Sequence, residues 1–441
     1  MNAHETLLTQ GDDYERAFHV TIKNEIKHMN IYIIGAGVSG LVAAYELERA
    51  GLRPTILEAS NTVGGRIKTD EVDGYLLDRG FQVLLTSYPE AMRYLDYPAL
   101  DLQYFEPGAI LYKPGNSIPV YDPLRQPSKL LNMALSPIGS WKDKYLMYKL
   151  TSSLKKSTPD QLFSEPSMST ISFLKGFGFS DKIINLFFKP FFKGIFLEND
   201  LHTSSRMFKF VMKMFAEGNA AVPRMGMQAI PFQLKSKLIQ TQFRFDTLVE
   251  SVQGNTIKLE SGETIHADKI IVATKPDTII SQLQGQVNKS KRVINMYFTL
   301  AHSFIASPTL GLVPDEQFLV NNLVFMTDVS KEYARTGRAL LSVSITKDVV
   351  ADEQLVKMVT VELEALTGIQ ASFFELLKIY DIPEALPDLE DLSYTVNPGQ
   401  TKLMDHVYLA GDYLLNGSIN GAMTAGRKAA EAVILSLSPT Y

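Results

Sequence analysis

Three glycines between a short strand and a helix restrict most what this chain can fold into. Asn30 to Ile34 is an apolar run of strand character, and Gly40 to Ala50 carries Leu41, Ala44 and Leu47 at helical spacing. Between them Gly35, Gly37 and Gly40, interleaved with Ala36, Val38 and Ser39, form a G-x-G-x-x-G turn. Glycine permits the tight reversal and lets a pyrophosphate approach the backbone. The amino terminus of the following helix then faces the anion. Arg53 to Glu58 reads as a second strand, which completes a β-α-β unit, and Glu58, followed by Ala59, stands where a carboxylate accepts hydrogen bonds from an adenosine ribose. A bound dinucleotide is expected, and up to this point NAD and FAD fit equally.

Two further segments separate them. Gly64-Gly65-Arg66 lies six residues past Glu58, where a second glycine pair lets backbone approach the cofactor and Arg66 can neutralise phosphate or meet the flavin edge. Near the carboxyl end, the buried strand His406 to Ala410 runs into Gly411-Asp412, and a helix from about Gly421 to Leu435 follows. A flavin ring lies far from its adenine and needs such a second cradle. Asp412 is placed to bind ribityl hydroxyls, and the helix start puts partial positive charge beside the pyrimidine end of the ring, favouring an anionic reduced flavin.

The expected fold is α/β: a Rossmann-type FAD-binding domain carrying an inserted α+β substrate domain with a helical part and an antiparallel sheet. The first domain is discontinuous, over residues 30–97, 222–285 and 390–441, and the second takes 98–221 and 286–389. From Pro98 to Pro223, Pro and Gly punctuate helical lengths rich in Leu, Phe, Met and Lys, which reads as a mainly helical insertion. Phe243 to Thr274 reads as strands that rejoin the first domain, while Val293 to Leu300 and Arg338 to Ile345 read as half-buried strands backing a cavity. Glu353 to Leu366 reads as a helix ended near Gly368. Residues 1–29 form an N-terminal extension, either a short helical segment or a leader from an upstream start codon, with no assigned function.

Composition narrows the classes. With 43 basic against 48 acidic residues the formal charge is −5, which speaks against a nucleic-acid partner. No cysteine is present, so disulfides, thiolate metal sites and a cysteinyl flavin link are excluded, FAD is expected to be held non-covalently, and a reducing, cytoplasmic setting fits. The seven histidines show no metal-ligand spacing, and no metal is expected. No Ser, His and Asp set stands in a nucleophile elbow, so hydrolysis is disfavoured. Phe187, Phe188, Phe191, Phe192 and Phe196, with Lys189 and Lys193, pack a core or line a tunnel on one reading and dock on a membrane surface on another.

These residues resemble the flavin-containing amine oxidoreductase superfamily, which includes amine oxidases, protoporphyrinogen oxidase and the carotene desaturases. The resemblance covers residues 30 to 90, 222 to 275 and 405 to 436, in that superfamily's order. It implies that Thr247-Leu248-Val249 contacts the adenine through its backbone, with Val249 at the cofactor, and that Asp268 to Thr274 is the strand that follows, bringing Thr274 to the site. Gly80-Phe81-Gln82 followed by Tyr88-Pro89 looks like a plant-type carotene desaturase pattern, with Gln82 in place of a His. Gly411-Asp412-Tyr413 and Ser418-Ile419-Asn420-Gly421-Ala422 resemble a desaturase ending, with Asn420 in place of a Glu. Ser418 falls where amine oxidases often carry one aromatic wall beside the flavin, and Lys289 and Lys291 give no secure counterpart of their flavin-proximal lysine.

What the resemblance implies is an FAD-dependent oxidoreductase that takes hydride from a small-molecule, largely apolar substrate, such as an isoprenoid or carotenoid-like C–C bond, and passes electrons to dioxygen or a quinone. One alternative is an amine or porphyrinogen oxidase using dioxygen. Another is a redox-neutral isomerase or a structural FAD protein. No individual catalytic residue is singled out, because the hydride acceptor belongs to the cofactor.

Overall fold

Ile31–Ile34 is flanked on both sides by parallel neighbours, which is why nearly every residue in it is apolar. In the computed structural model, which describes residues 29–121, 125–126, 128, 136–285 and 289–437, this strand sits inside a six-stranded sheet. Its order is Gln242–Arg244, Thr55–Leu57, Ile31–Ile34, Lys269–Val272, Val407–Leu409 and Lys402–Met404. All pairings are parallel except the last, at the edge. The register aligns Ile33 with Ile56 on one side and Ile271 on the other, and Ile271 with Tyr408. Three stretches far apart in sequence thus close one sheet, and ligands of such sheets bind beyond the carboxyl ends of the strands.

Helices Val38–Arg49 and Ile419–Leu437 pack against each other and against the strands Ile31–Ile34, Lys269–Val272 and Val407–Leu409. Their approach depends on Gly426, where a methyl group would collide with the Ser39 carbonyl. Ser39 Oγ donates to the Ala422 carbonyl at 2.5 Å and fixes the two helix starts side by side. A three-stranded antiparallel meander, Val249–Gln253, Thr256–Leu259 and Thr264–His266, caps the sheet elsewhere through Val252, Ile257 and Ile270.

The second sheet has seven strands, in the order Glu375–Pro387, Ser290–Leu300, Ala339–Ile345, Val320–Phe325, Leu310–Leu312, Gly108–Lys113 and Asn116–Tyr121. Helix Glu353–Thr367, capped by Asp352 and closed by Gly368 at φ 75°, buries Leu355, Val359 and Leu363 against it. The sheet is larger than its sequence signals suggest. Gly108–Tyr121 lies in the stretch expected to be mainly helical and instead supplies a hairpin, and Leu102–Tyr104 adds a strand to a small sheet with Ala220–Pro223 and Leu84–Leu85. Glu375–Pro387 carries prolines that argue against a central strand; it occupies the edge, where proline is tolerated.

Helices Trp141–Lys156, Pro159–Ser164, Thr170–Phe177 and Ser205–Glu217, with the helical stretch Asp181–Phe196, form the third layer. The phenylalanine-rich stretch packs inward. Phe188, Phe192 and Phe208 are fully buried, with the Phe208 ring centroid 5.8 Å from Phe188 and 4.7 Å from Phe192, while Phe187 and Phe191 are half-buried. Within it, Ile184–Phe188 forms a π turn just ahead of Pro190. Of the proposed N-terminal extension only Met29 is among the described residues.

Candidate active site

The turn after Ile31–Ile34 is held open by its glycines. Gly35 takes φ 102°, and Gly40 packs so closely on the turn that a methyl group there would strike the Gly35 carbonyl. Gly37 is different, because a Cβ added to it meets no protein atom within 4 Å. The backbone at Gly37 is therefore bare toward a cavity. Helix Val38–Arg49 begins at that point with no side-chain cap and no acidic residue in its first turn. Its first amide groups and its dipole face the same space. Gly64 and Gly65, at φ 135° and 59°, bring a second loop against it, with Gly65 directly above Gly37.

Glu58 sits behind this turn. Oε2 accepts from the Ala36 amide at 2.7 Å, and Oε1 accepts from the Ser60 amide and hydroxyl at 2.9 and 2.7 Å. The carboxylate ties the second strand to the glycine turn and shapes the cradle from beneath. Removing it frees a turn amide as well as a charge. Glu58→Ala is expected to weaken FAD binding about tenfold or more, the scale of one charge-assisted hydrogen bond, as read by the flavin remaining after dialysis.

From the cradle a continuous cavity of about 1310 Å³ runs into the body of the protein. Of the residues singled out in the sequence, Gly37, Val38, Ser39, Gly64, Gly65 and Arg66 line its first part. Gly80, Phe81, Gln82, Thr274, Gly411, Asp412, Ile419 and Ala422 line the next. Gly35, Ala36, Gly40, Glu58, Ala59, Val249, Asn420 and Gly421 stand outside the lining. Gly421 is packed on the Asn416 carbonyl, Asn420 Oδ1 turns to accept from the Glu90 amide at 3.0 Å, Val249 is a core residue beneath its strand, and Ala59 is exposed.

The second cradle is built by a contact spanning 346 positions. Arg66 Nη2 donates to Asp412 Oδ1 at 2.5 Å, and Nη1 donates to the Ala385 carbonyl at 3.1 Å. That carbonyl is available because Glu375–Pro387 bulges where Lys291 pairs with Leu386 but Val293 pairs with Ile382. Pro383-Glu384-Ala385 is thereby pushed into the cavity wall, and Glu384 is held by Lys275 at 2.7 Å. Ser418 caps the last helix, accepting from the Gly421 amide at 2.9 Å while its hydroxyl donates to Asn416 Oδ1.

Next to Gly80 lies a buried polar knot centred on Asp78. Asp78 Oδ1 accepts from Thr69 Oγ1 at 2.5 Å and from the Met227 amide at 2.9 Å, and Oδ2 accepts from the Tyr333 hydroxyl at 2.6 Å. Tyr297 donates to the Asp78 carbonyl at 2.9 Å. Burial raises the Asp78 carboxyl above its ordinary range, and the three donors offset only part of that cost. The knot ties the hairpin Thr69–Val72 and Tyr75–Asp78 to the second sheet through Tyr297, directly before Gly80 of the cavity lining. No periodicity signals it, since its members are scattered from Thr69 to Tyr333.

The far part of the cavity is apolar, walled by Phe187, Phe191, Ile195, Met207, Val211 and Phe215. Lys291 also lines it, paired with Glu198 at 2.8 Å, so a lysine left outside the site on sequence grounds belongs to its wall. Lys289 does not line it. Among the described residues no group of His, Asp or Glu is arranged to hold a metal ion.

An open glycine turn on an uncapped helix start, a second helix start some distance along the same cavity, and an acidic and a basic side chain between them suit an elongated dinucleotide whose second half is a flavin. These features define a dinucleotide-dependent flavoprotein. The sequence profile described as "Flavin containing amine oxidoreductase" matches residues 38–434, and the chain belongs to that family. FAD is its cofactor, and when bound it supplies the two-electron acceptor for a hydride.

Individual relatives add detail. A putative protoporphyrinogen oxidase from Exiguobacterium sp. 255-15 superimposes with a TM-score of 0.69 at 17% identity, covering 93% of this chain and 99% of that one. Putrescine oxidase bound to putrescine gives 0.68 at 17% identity, covering 92% and 99%. At such identities the likeness is one of fold. In sequence, protoporphyrinogen oxidase 2 of Arabidopsis thaliana is 28% identical over 166 residues, which are 37% of this chain and 32% of that protein. The chain thus matches about a third of that relative's length.

Proposed function

We propose that this flavoenzyme dehydrogenates a bulky, largely apolar organic substrate, with hydride passing from a substrate carbon to the flavin and a proton leaving to solvent or a wall residue. The observation that carries this reading is the cavity's far part, whose Phe, Met, Ile and Val walls continue directly from the flavin cradle. Such walls bind by area removed from water and fix the reacting carbon about 3 to 3.5 Å from the ring. The isoprenoid or carotenoid-like C–C bond suggested by the desaturase-like positions suits this lining. Ser418 at the flavin end offers no aromatic wall to an amine. Dioxygen or a quinone then reoxidises the flavin, and the absence of cysteine fits a reducing, cytoplasmic setting.

A porphyrinogen-type substrate is the second reading, favoured by Arg125, whose guanidinium stands at this lining, donates to the Phe215 carbonyl and to Asn219 Oδ1, and suits a carboxylate-bearing macrocycle. The relatives that carry porphyrinogen oxidase names point the same way. Mass analysis of products separates the two. An acyclic polyene precursor is expected to lose two hydrogens per turnover. Peroxide release with amines or a porphyrinogen, and none with the polyene, would move the assignment to the oxidase side.

A further inference from the structure

Helix Trp141–Lys156 presents three surfaces that have little reason to coexist on a helix facing only water. Asp143, Leu146, Leu150 and Leu154 are buried and fix it to the protein. At 3.6 residues per turn, Trp141, Tyr145 and Tyr148 stand on the opposite side, and they are 70%, 63% and 56% exposed. Exposed aromatic rings in a row mark a surface that meets something other than water. Along one flank, Trp141, Lys144, Met147, Tyr148 and Thr151 join the lining of the large cavity, and since Trp141 and Tyr148 are also exposed, the cavity reaches the surface at the aromatic row. Along the other, Lys142, Lys149 and Lys156 are exposed. The helix carries five lysines and one acid, the buried Asp143, in a chain whose formal charge is −5.

We propose that this helix lies on the surface of an anionic phospholipid bilayer, with the three aromatic rings at the headgroup level and Lys142, Lys149 and Lys156 on the lipid phosphates. Tryptophan and tyrosine favour that depth because one end of each ring is apolar and the other makes hydrogen bonds. Lysine stems reach along apolar surface while their charged heads stay in water. Among the described residues no helix is long and apolar enough to cross a membrane, so the contact is peripheral. Docked this way, the cavity mouth opens on the layer where an apolar small molecule is dissolved. The proposal rests on the helix face and the cavity mouth, and vesicle binding is read separately from flavin reduction.

Trp141 is the chain's single tryptophan and stands at the exposed rim of the cavity, so its emission reports on this surface and the adjoining mouth. The holoprotein is mixed at low salt with phosphatidylcholine vesicles, with and without phosphatidylserine. Co-sedimentation only with the anionic vesicles is expected, together with a blue shift of Trp141 emission and quenching by brominated lipid. Salt should reverse it. Lys149→Gln and Lys156→Gln are each expected to weaken binding about fivefold, and Tyr145→Asp to abolish the emission shift, with thermal unfolding confirming that each variant folds. Quenching of the wild-type protein needs no variant. Absence of co-sedimentation, or co-sedimentation with Trp141 emission unchanged, overturns the proposal.

Discussion

Gly37→Trp is expected to give a folded protein that is colourless. The Gly37 Cβ position meets no protein atom within 4 Å, so the new side chain enters the cavity rather than the core, and the fold keeps its contacts. It then occupies the space over the uncapped start of helix Val38–Arg49, where the pyrophosphate must sit. Loss of that seat removes the helix-start amides and the dipole together, and FAD affinity should fall by at least about a hundredfold, equivalent to ~3 kcal/mol. The checks are the flavin-to-protein ratio after purification and the thermal midpoint of the stripped protein, which should match that of stripped wild type. Gly40→Ala is the contrasting variant. Its methyl group collides with the Gly35 carbonyl, so it should lower the midpoint as well.

Asp78→Ala is expected to destabilise the whole molecule by about 3 to 5 kcal/mol. The substitution leaves the Tyr333 hydroxyl, the Met227 amide and the Thr69 hydroxyl without their buried acceptor. Asp78→Asn should cost much less, since its carbonyl oxygen can still accept from Thr69 and Met227 while its amide donates to Tyr333. The pH dependence has a definite sign. Burial raises the folded-state carboxyl, so between the ordinary carboxylate range and that raised value the folded chain holds a proton that the unfolded chain releases. This site's contribution is therefore full below the ordinary range and is lost as pH rises through the raised value. Asp78→Asn should flatten that part of the stability profile, as measured by urea unfolding across the window.

The parts of the molecule legible in the sequence are those made by local pattern. Thr256–Leu259 and Glu353–Thr367 announce themselves through alternation or helical spacing with turn and cap residues at their ends. The glycine turn combines chain reversal with close backbone approach, which only certain residues allow, so its place at the cavity follows from residue type. Elements defined by their neighbours are not legible in this way. Glu375–Pro387 is a strand because Ser290–Leu300 offers it an edge, and its prolines mask it. Gly108–Tyr121 sits among helices in sequence and joins the second sheet through Leu310–Leu312.

The same distinction runs through the site. Arg66 and Asp412 are each marked by adjacent glycines, but their pairing across 346 positions, with the Ala385 carbonyl as third partner, exists only once three segments meet. The Asp78 knot has no sequence mark at all. The aromatic row on Trp141–Lys156 escapes notice for the opposite reason. Leu, Met, Trp and Tyr in one helix suggest a core, and only the direction of the buried face shows that all three rings point away from it.

The central claim is that the apolar part of the cavity delivers a substrate carbon to the flavin. Anaerobic mixing of the oxidised holoprotein with an acyclic polyene precursor, followed by its absorption spectrum, tests it most directly. Bleaching of the long-wavelength flavin band in proportion to substrate, with recovery on admitting dioxygen or a quinone, is the predicted result. A flavin band left unchanged by the polyene, yet bleached by a simple amine, would contradict the account.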